Sequence, residues 1–152
     1  MAELLRKDQK VENIWDIESI FPTEEDFWKQ FKEVEEFLPE IKNYKGKVTN
    51  GAKELLEVFR VSEKWGIKLE ELYIYAFFRN DQDSTDSKNK EIYAKTGSLA
   101  SKFGAEWSFL VPELLSVDEE VLNGYIEELD ELKVYKFDIE KVKKMWSTYS
   151  RR

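Results

Sequence analysis

The chain of 152 residues carries 32 Asp and Glu against 24 Lys and Arg, a formal net charge of −8, and contains neither cysteine nor histidine. Lack of thiols removes disulfide frameworks, thiolate metal sites and cysteine nucleophiles, and lack of imidazole removes the commonest metal ligand and near-neutral general base. The acidic balance repels phosphate backbones and speaks against nucleic-acid binding through a basic surface.

The rest of the composition describes a chain able to bury a core. Length suits one domain, for which roughly 68–70% of the unfolded surface is buried on folding. Hydrophobic residues make up 41%, with 10 Phe, 7 Tyr and 5 Trp, while 6 Gly and 3 Pro leave little to interrupt helices. The start, MAELLRKDQK, lacks the apolar stretch of a secretory signal, and no window approaches ~20 apolar residues. The expectation is a soluble cytoplasmic protein with no membrane span.

Met1 to Val11 is charged and aperiodic and reads as a leader. Ile14, Trp15, Ile17, Ile20 and Phe21 then gather apolar surface ahead of any helix, with Trp15 as the anchor; a substrate-contacting Trp15 is the functional alternative. Thr23 and Asp26 form a capping-box pattern, with Glu24 and Glu25 in the first turn where the helix dipole favours negative charge. Phe27, Phe31, Val34 and Leu38 make the buried stripe of that helix, which Pro39 ends. The glycines of NYKGKVTNG mark a connection. Asn50 is the predicted N-cap of a second helix carrying Leu55, Leu56 and Phe59 to about Trp65. Gly66 either terminates it or lies inside one longer helix.

Leu69, Leu72, Tyr73, Ala76 and Phe77 follow the i, i+3, i+4 spacing, and Ile74, Tyr75 and Phe78 carry apolar surface round the helix, so it is expected to be a buried central post. After the polar run from Arg79 to Ser87, Ile92, Thr96, Leu99, Phe103 and Trp107 mark another helix. Gly97 and Gly104 within it read as points of close helix packing. Pro112 stops the run, and Ser116 with Glu119 gives a second capping-box pattern for a helix from about Val117 to Leu129. Tyr135, Ile139, Val142 and Met145 or Trp146 imply a last helix. The predicted fold is all-α, a single-domain bundle of about six mostly antiparallel helices. Residues 1–22 would be leader and anchoring segment, 23–147 the helical domain and 148–152 a polar tail.

No residue emerges as catalytic, cofactor-binding or metal-ligating. Asp81, Asp83 and Asp86 invite a calcium reading, but an EF-hand loop from Asp81 needs Gly sixth and Glu twelfth, where Asp86 and Ile92 stand. Helix capping by Asp83, Ser84, Thr85 or Asp86 accounts for the turn better. The neighbouring carboxylates Glu70 with Glu71 and Glu127 with Glu128 do not share a helix face. G-x-S-x-G, phosphate-loop and dinucleotide glycine patterns are missing.

Three runs in order carry a family likeness. YAFFRNDQDSTDSKNKEIYAKTGSLASKFGAEWSFLVPELL, IWDIESIFPTEEDFW and YKGKVTNGAKELLEVF together resemble the N-terminal region of the oligoendopeptidase F branch of the M3 zinc metallopeptidases. The likeness covers nearly the whole chain but only the start of the family's length. It implies a helical region that precedes the catalytic part and helps wall an enclosed peptide cleft. Zinc and its H-E-x-x-H ligands would belong to the catalytic region, since a chain without histidine cannot assemble them. Partners implied are that catalytic region, or a second copy through exposed apolar surface, and short peptides only in the whole enzyme. The family continues into P-H-x-L-S where this sequence reads KMWSTYSRR. A truncated bundle would leave Trp107, Phe109, Trp146 and Tyr149 uncovered. The rival reading is a stand-alone acidic helical protein-interaction module.

Overall fold

Thr23 starts the first helix through a reciprocal cap. Its hydroxyl accepts the Asp26 N–H at 3.2 Å, while its own N–H donates to the Asp26 carboxylate at 3.1 Å. Two otherwise unpaired donors are thereby satisfied, and α1 runs Glu24–Phe37. The structure is a computed structural model that describes residue 10 and residues 14–149. Apart from Lys10, the expected leader over residues 1–11 lies outside the described residues, as does the side chain of Tyr149.

Pro39 cannot donate to the α-helical ladder. The chain leaves α1 as a 3-10 segment, Leu38–Tyr44, turns at Gly46 with φ +86°, and makes a short 3-10 turn, Lys47–Thr49. Asn50 closes that turn and is not the N-cap expected of it: the first backbone bond of the next helix runs from Leu55 N–H to the Gly51 carbonyl. Helix α2, Ala52–Gln82, is 31 residues long. Two predicted helices are therefore one, with Gly66 inside it.

Asp83 and Asp86 bracket the turn into α3, Ser87–Glu106. A 3-10 turn, Trp107–Phe109, leads into a short α4, Leu110–Ser116. Pro112 sits in the first turn of α4, where a missing N–H costs nothing, so it does not stop the run. The Ser116–Glu119 box does not form. The Ser116 hydroxyl turns back to the Glu113 carbonyl at 2.6 Å, and Asp118 occupies the position before α5, Glu119–Glu128. A 3-10 segment, Asp130–Tyr135, precedes α6, Lys136–Tyr149. Among the described residues all regular structure is helical, with six α-helices.

Contacts group the chain into two units, the division in α2 falling between Lys64 and Trp65. In the first, Met1–Leu38 with Trp65–Phe103, the core is aromatic. Phe27 stacks on Tyr75 at 5.1 Å between ring centroids, and Phe21 meets both rings edge-on at 5.7 and 5.3 Å. Ile92, Thr96, Leu99 and Phe103 bury one stripe of α3 as expected, and the Thr96 hydroxyl is absorbed by the Ile92 carbonyl at 2.8 Å. Ile17 and Phe21 are the buried anchors of the opening segment; Trp15 is 57% exposed. The anchor role expected of Trp15 is thus taken by Ile17 and Phe21, at the 3-10 turn Ile17–Ser19.

In the second unit, Pro39–Lys64 with Gly104–Arg152, the core is aliphatic, built on Ile41, Val48, Leu55, Leu122 and Leu132. Polar clamps close its edges. Gly46 N–H donates to the Glu113 carboxylate at 2.7 Å, the Tyr135 hydroxyl donates to Glu63 at 2.6 Å, and Lys143 donates to the Leu115 and Val117 carbonyls at the end of α4. Trp107 is buried beneath Tyr44 in this unit, and Phe109 is half-buried, so neither stands uncovered; Trp146 is 59% exposed.

A Cβ at Gly66, Gly97 or Gly104 would meet nothing within 4 Å. The expected close packing at Gly97 and Gly104 is therefore not what those residues provide. Gly66→Ala should raise stability by about 0.5–1 kcal/mol, because alanine restricts the unfolded chain and favours the helix, or about 1–4 °C in Tm. Gly46→Ala should lower it by about 1 kcal/mol through its left-handed φ. Thermal melts followed by circular dichroism check both, and a lower Tm for Gly66→Ala would contradict a helix continuous through that point.

Candidate interaction surface

One cluster of partly enclosed polar side chains in the first unit is held together by mutual bonds. Arg79, near the end of α2, has a side chain only 19% exposed. Its Nη1 lies 2.9 Å from Glu24 Oε2 and donates to the Tyr75 hydroxyl at 3.2 Å, and its Nε donates to Asn89 Oδ1 at 2.7 Å. Glu24 also takes Lys88 Nζ at 2.9 Å and the Trp28 indole N–H at 3.1 Å. Partial burial alone would raise the Glu24 carboxyl, but the bonds from Lys88, Trp28 and Arg79 and the Arg79 charge outweigh it and hold its pKa down at about 2. Such a node is structural, since every member is committed to another.

The acidic turn is likewise consumed by its own backbone. Asp83 Oδ1 accepts the Thr85 N–H at 3.0 Å and hydroxyl at 2.7 Å, which keeps its carboxyl below the usual range. Asp86 Oδ1 accepts the Lys88 N–H at 2.7 Å and lies 3.4 Å from that of Asn89. These are capping bonds. Among the described residues no three Asp or Glu side chains are placed to hold a metal ion. Zinc, which the family resemblance implies, does not fit this chain, whose sequence offers no imidazole or thiolate.

The first unit also leaves an apolar face open. Leu72, Tyr75 and Ala76 bury one face of α2, and the opposite face remains open. Tyr73 is 40% and Phe77 44% exposed, flanked by exposed Ile67 and Ile74. The helix is two-faced, which corrects the expectation of a post buried all round. The exposed rings join half-buried Phe78 and Tyr93 in a ladder. Tyr73 and Tyr93 lie 5.9 Å apart with their hydroxyls 3.2 Å apart, Phe77 meets Tyr93 at 6.2 Å and Phe78 at 5.6 Å, and Phe78 stacks on Trp15 at 4.6 Å. Five contiguous rings on a surface mark an interaction site more often than solvent exposure for its own sake. The surface can pack against apolar or aromatic groups.

Sequence reasoning named Tyr73, Phe77 and Phe78 but placed them in the core. The signal available was angular and slight: at about 100° per residue, 73 and 77 lie nearly opposite 75, but 73 is only about 60° from 76. Trp15, named as an anchor with substrate contact as the alternative, is exposed and stacked on Phe78.

No protein-family model matches the chain. It is 37% identical over 139 residues to oligopeptidase PepF of Bacillus subtilis, covering 91% of this chain and 21% of that protein. Group B oligopeptidase PepB of Streptococcus agalactiae is 32% identical over 128 residues, covering 84% of this chain and 21% of that protein. The crystal structure of oligoendopeptidase-F from Enterococcus faecium superposes with a TM-score of 0.74 at 28% identity, over 79% of this chain and 24% of that one. The chain spans about a fifth of the length of the curated relatives it matches. No helix among the described residues is long and apolar enough to cross a membrane.

The Glu24 node predicts a pH dependence. A carboxylate held at about 2 against an ordinary value of 4.5 contributes stability that is full above pH 4.5 and lost as pH falls toward 2. Glu24→Gln should melt lower than wild type at neutral pH and lose less stability between pH 4.5 and 2. Melts across that range check it; parallel profiles would refute the node.

Proposed function

Because the chain corresponds to the N-terminal region of the oligoendopeptidase F family, we propose that it serves as the non-catalytic helical part of such a peptidase and shapes one wall of its peptide cleft. The observation that carries this reading is the aromatic ladder in which exposed Trp15, Tyr73 and Phe77 are joined by half-buried Phe78 and Tyr93. Ligand clefts are lined mainly by apolar and aromatic groups with a few polar ones. Rings already in contact with each other lose little conformational freedom when something packs on them.

On this reading the chemistry belongs to zinc and its ligands in the remaining part of the enzyme, and this region acts by geometry. A helical wall limits access to short, unfolded peptides and keeps water from the reacting bond. Its partner is the catalytic region of the same peptidase.

The test is hydrolysis of a quenched fluorescent oligopeptide. This chain alone, with or without added zinc, should give no turnover. Adding it to Bacillus subtilis PepF deprived of its matching region should restore turnover. The Tyr73→Asp, Phe77→Asp double variant should restore on the order of tenfold less, since misplacing substrate lowers rate steeply, while keeping the wild-type helical signal. Zinc-dependent turnover by this chain alone, or full activity of the deprived peptidase without it, would overturn the proposal.

A further inference from the structure

Within the first unit a groove of about 440 Å³ runs between α1 and α3. The two helices contribute matching stripes at i, i+3, i+4, i+7: Trp28, Phe31, Lys32 and Glu35 from α1, and Lys95, Ser98, Leu99 and Lys102 from α3. Trp28, Phe31 and Leu99 form an apolar floor, and of the four charged side chains at the rim three are lysines, in a chain of net charge −8. The groove's excess of positive charge runs against the acidic balance of the chain as a whole.

The lysines are available to a ligand. Lys95 Nζ stands 5.3 Å from the centroid of the Trp28 ring, a cation–π position that keeps the ammonium over the floor. Its pairing with Glu91 at 2.6 Å, and that of Lys32 with Glu36 at 3.6 Å, join exposed neighbours on one helix. Pairs of that kind are worth a few tenths of a kcal/mol and exchange readily. Lys102 has no ion-pair partner among the described residues.

We propose that this groove binds an acidic peptide segment, seating an apolar side chain on Trp28, Phe31 and Leu99 and setting carboxylates against Lys32, Lys95 and Lys102. The size falls within the range of ligand sites. Glu35 at the rim selects against a uniform polyanion such as a nucleic acid and suits a peptide, whose backbone N–H groups it accepts. The site is separate from the aromatic face of α2, so the proposal stands or falls without the cleft-wall reading.

Fluorescence polarisation with a labelled peptide alternating glutamate and leucine tests it on the full chain, with no hydrolysis involved. Saturable binding is expected, weakening as salt is raised. A glutamine-for-glutamate version of the peptide should bind about tenfold more weakly, as should the Lys95→Gln, Lys102→Gln double variant to the acidic peptide, as loss of charge-assisted bonds implies. Lys53→Gln, Lys133→Gln, outside the groove, should bind within about twofold of wild type. Surface lysine changes leave the fold intact, which a melt verifies. No saturable binding, equal binding of the neutral peptide, or equal loss in both double variants would overturn the assignment.

Discussion

The first unit depends on the enclosure of the Arg79 guanidinium. A cation removed from most of its water must find partners for its donors, and those of Arg79 come from three elements: Glu24 in the first turn of α1, Tyr75 one turn earlier on α2, and Asn89 in the first turn of α3. Breaking a largely enclosed pair leaves a charge without its complement, at a cost of about 3–5 kcal/mol in fully buried cases. Asn89 in turn donates to the Asp83 carbonyl at 3.3 Å, which ties the acidic turn into the same network. The requirement also orients α2. With Tyr75 and Arg79 turned inward one helical turn apart, Leu72 and Ala76 follow them into the core and Tyr73 and Phe77 face out.

Much of this was legible in the residues. The Thr23–Asp26 box, the end of α1 before Pro39 and the stripe from Ile92 to Phe103 appear where local chemistry places them, because each rests on contacts a few residues apart. The misreadings share a different cause. At Gly66, glycine's cost of about 1 kcal/mol inside a helix is outweighed by packing on both sides of it, including the stack of Phe37 on Trp65 at 4.2 Å. Ser116 has the spacing of a cap, yet Asp118 takes the position before α5 and the Ser116 hydroxyl donates back to the Glu113 carbonyl. Trp107 looked like surface left open and lies instead beneath Tyr44, a neighbour 63 positions away that no local pattern names.

The exposed face of α2 was the hardest part to read. Its residues are those of a core helix, and hydrophobicity alone assigns them to one. They stay outside because the opposite face is fixed by a polar node, which periodicity does not weigh. Glu24 and Asp83 are spent on structure, and the surfaces singled out for recognition are apolar or cationic. Such chemistry is compatible with the positioning role proposed for this region.

Hydroxyl-radical footprinting of Trp15, Tyr73 and Phe77 tests the central claim most directly, comparing the chain alone with the chain mixed with the rest of an oligoendopeptidase F. The account predicts rapid oxidation of these rings in the isolated chain and marked protection in the mixture when an inhibitory peptide fills the cleft. Equal oxidation in both, with protection confined to other faces, would contradict it.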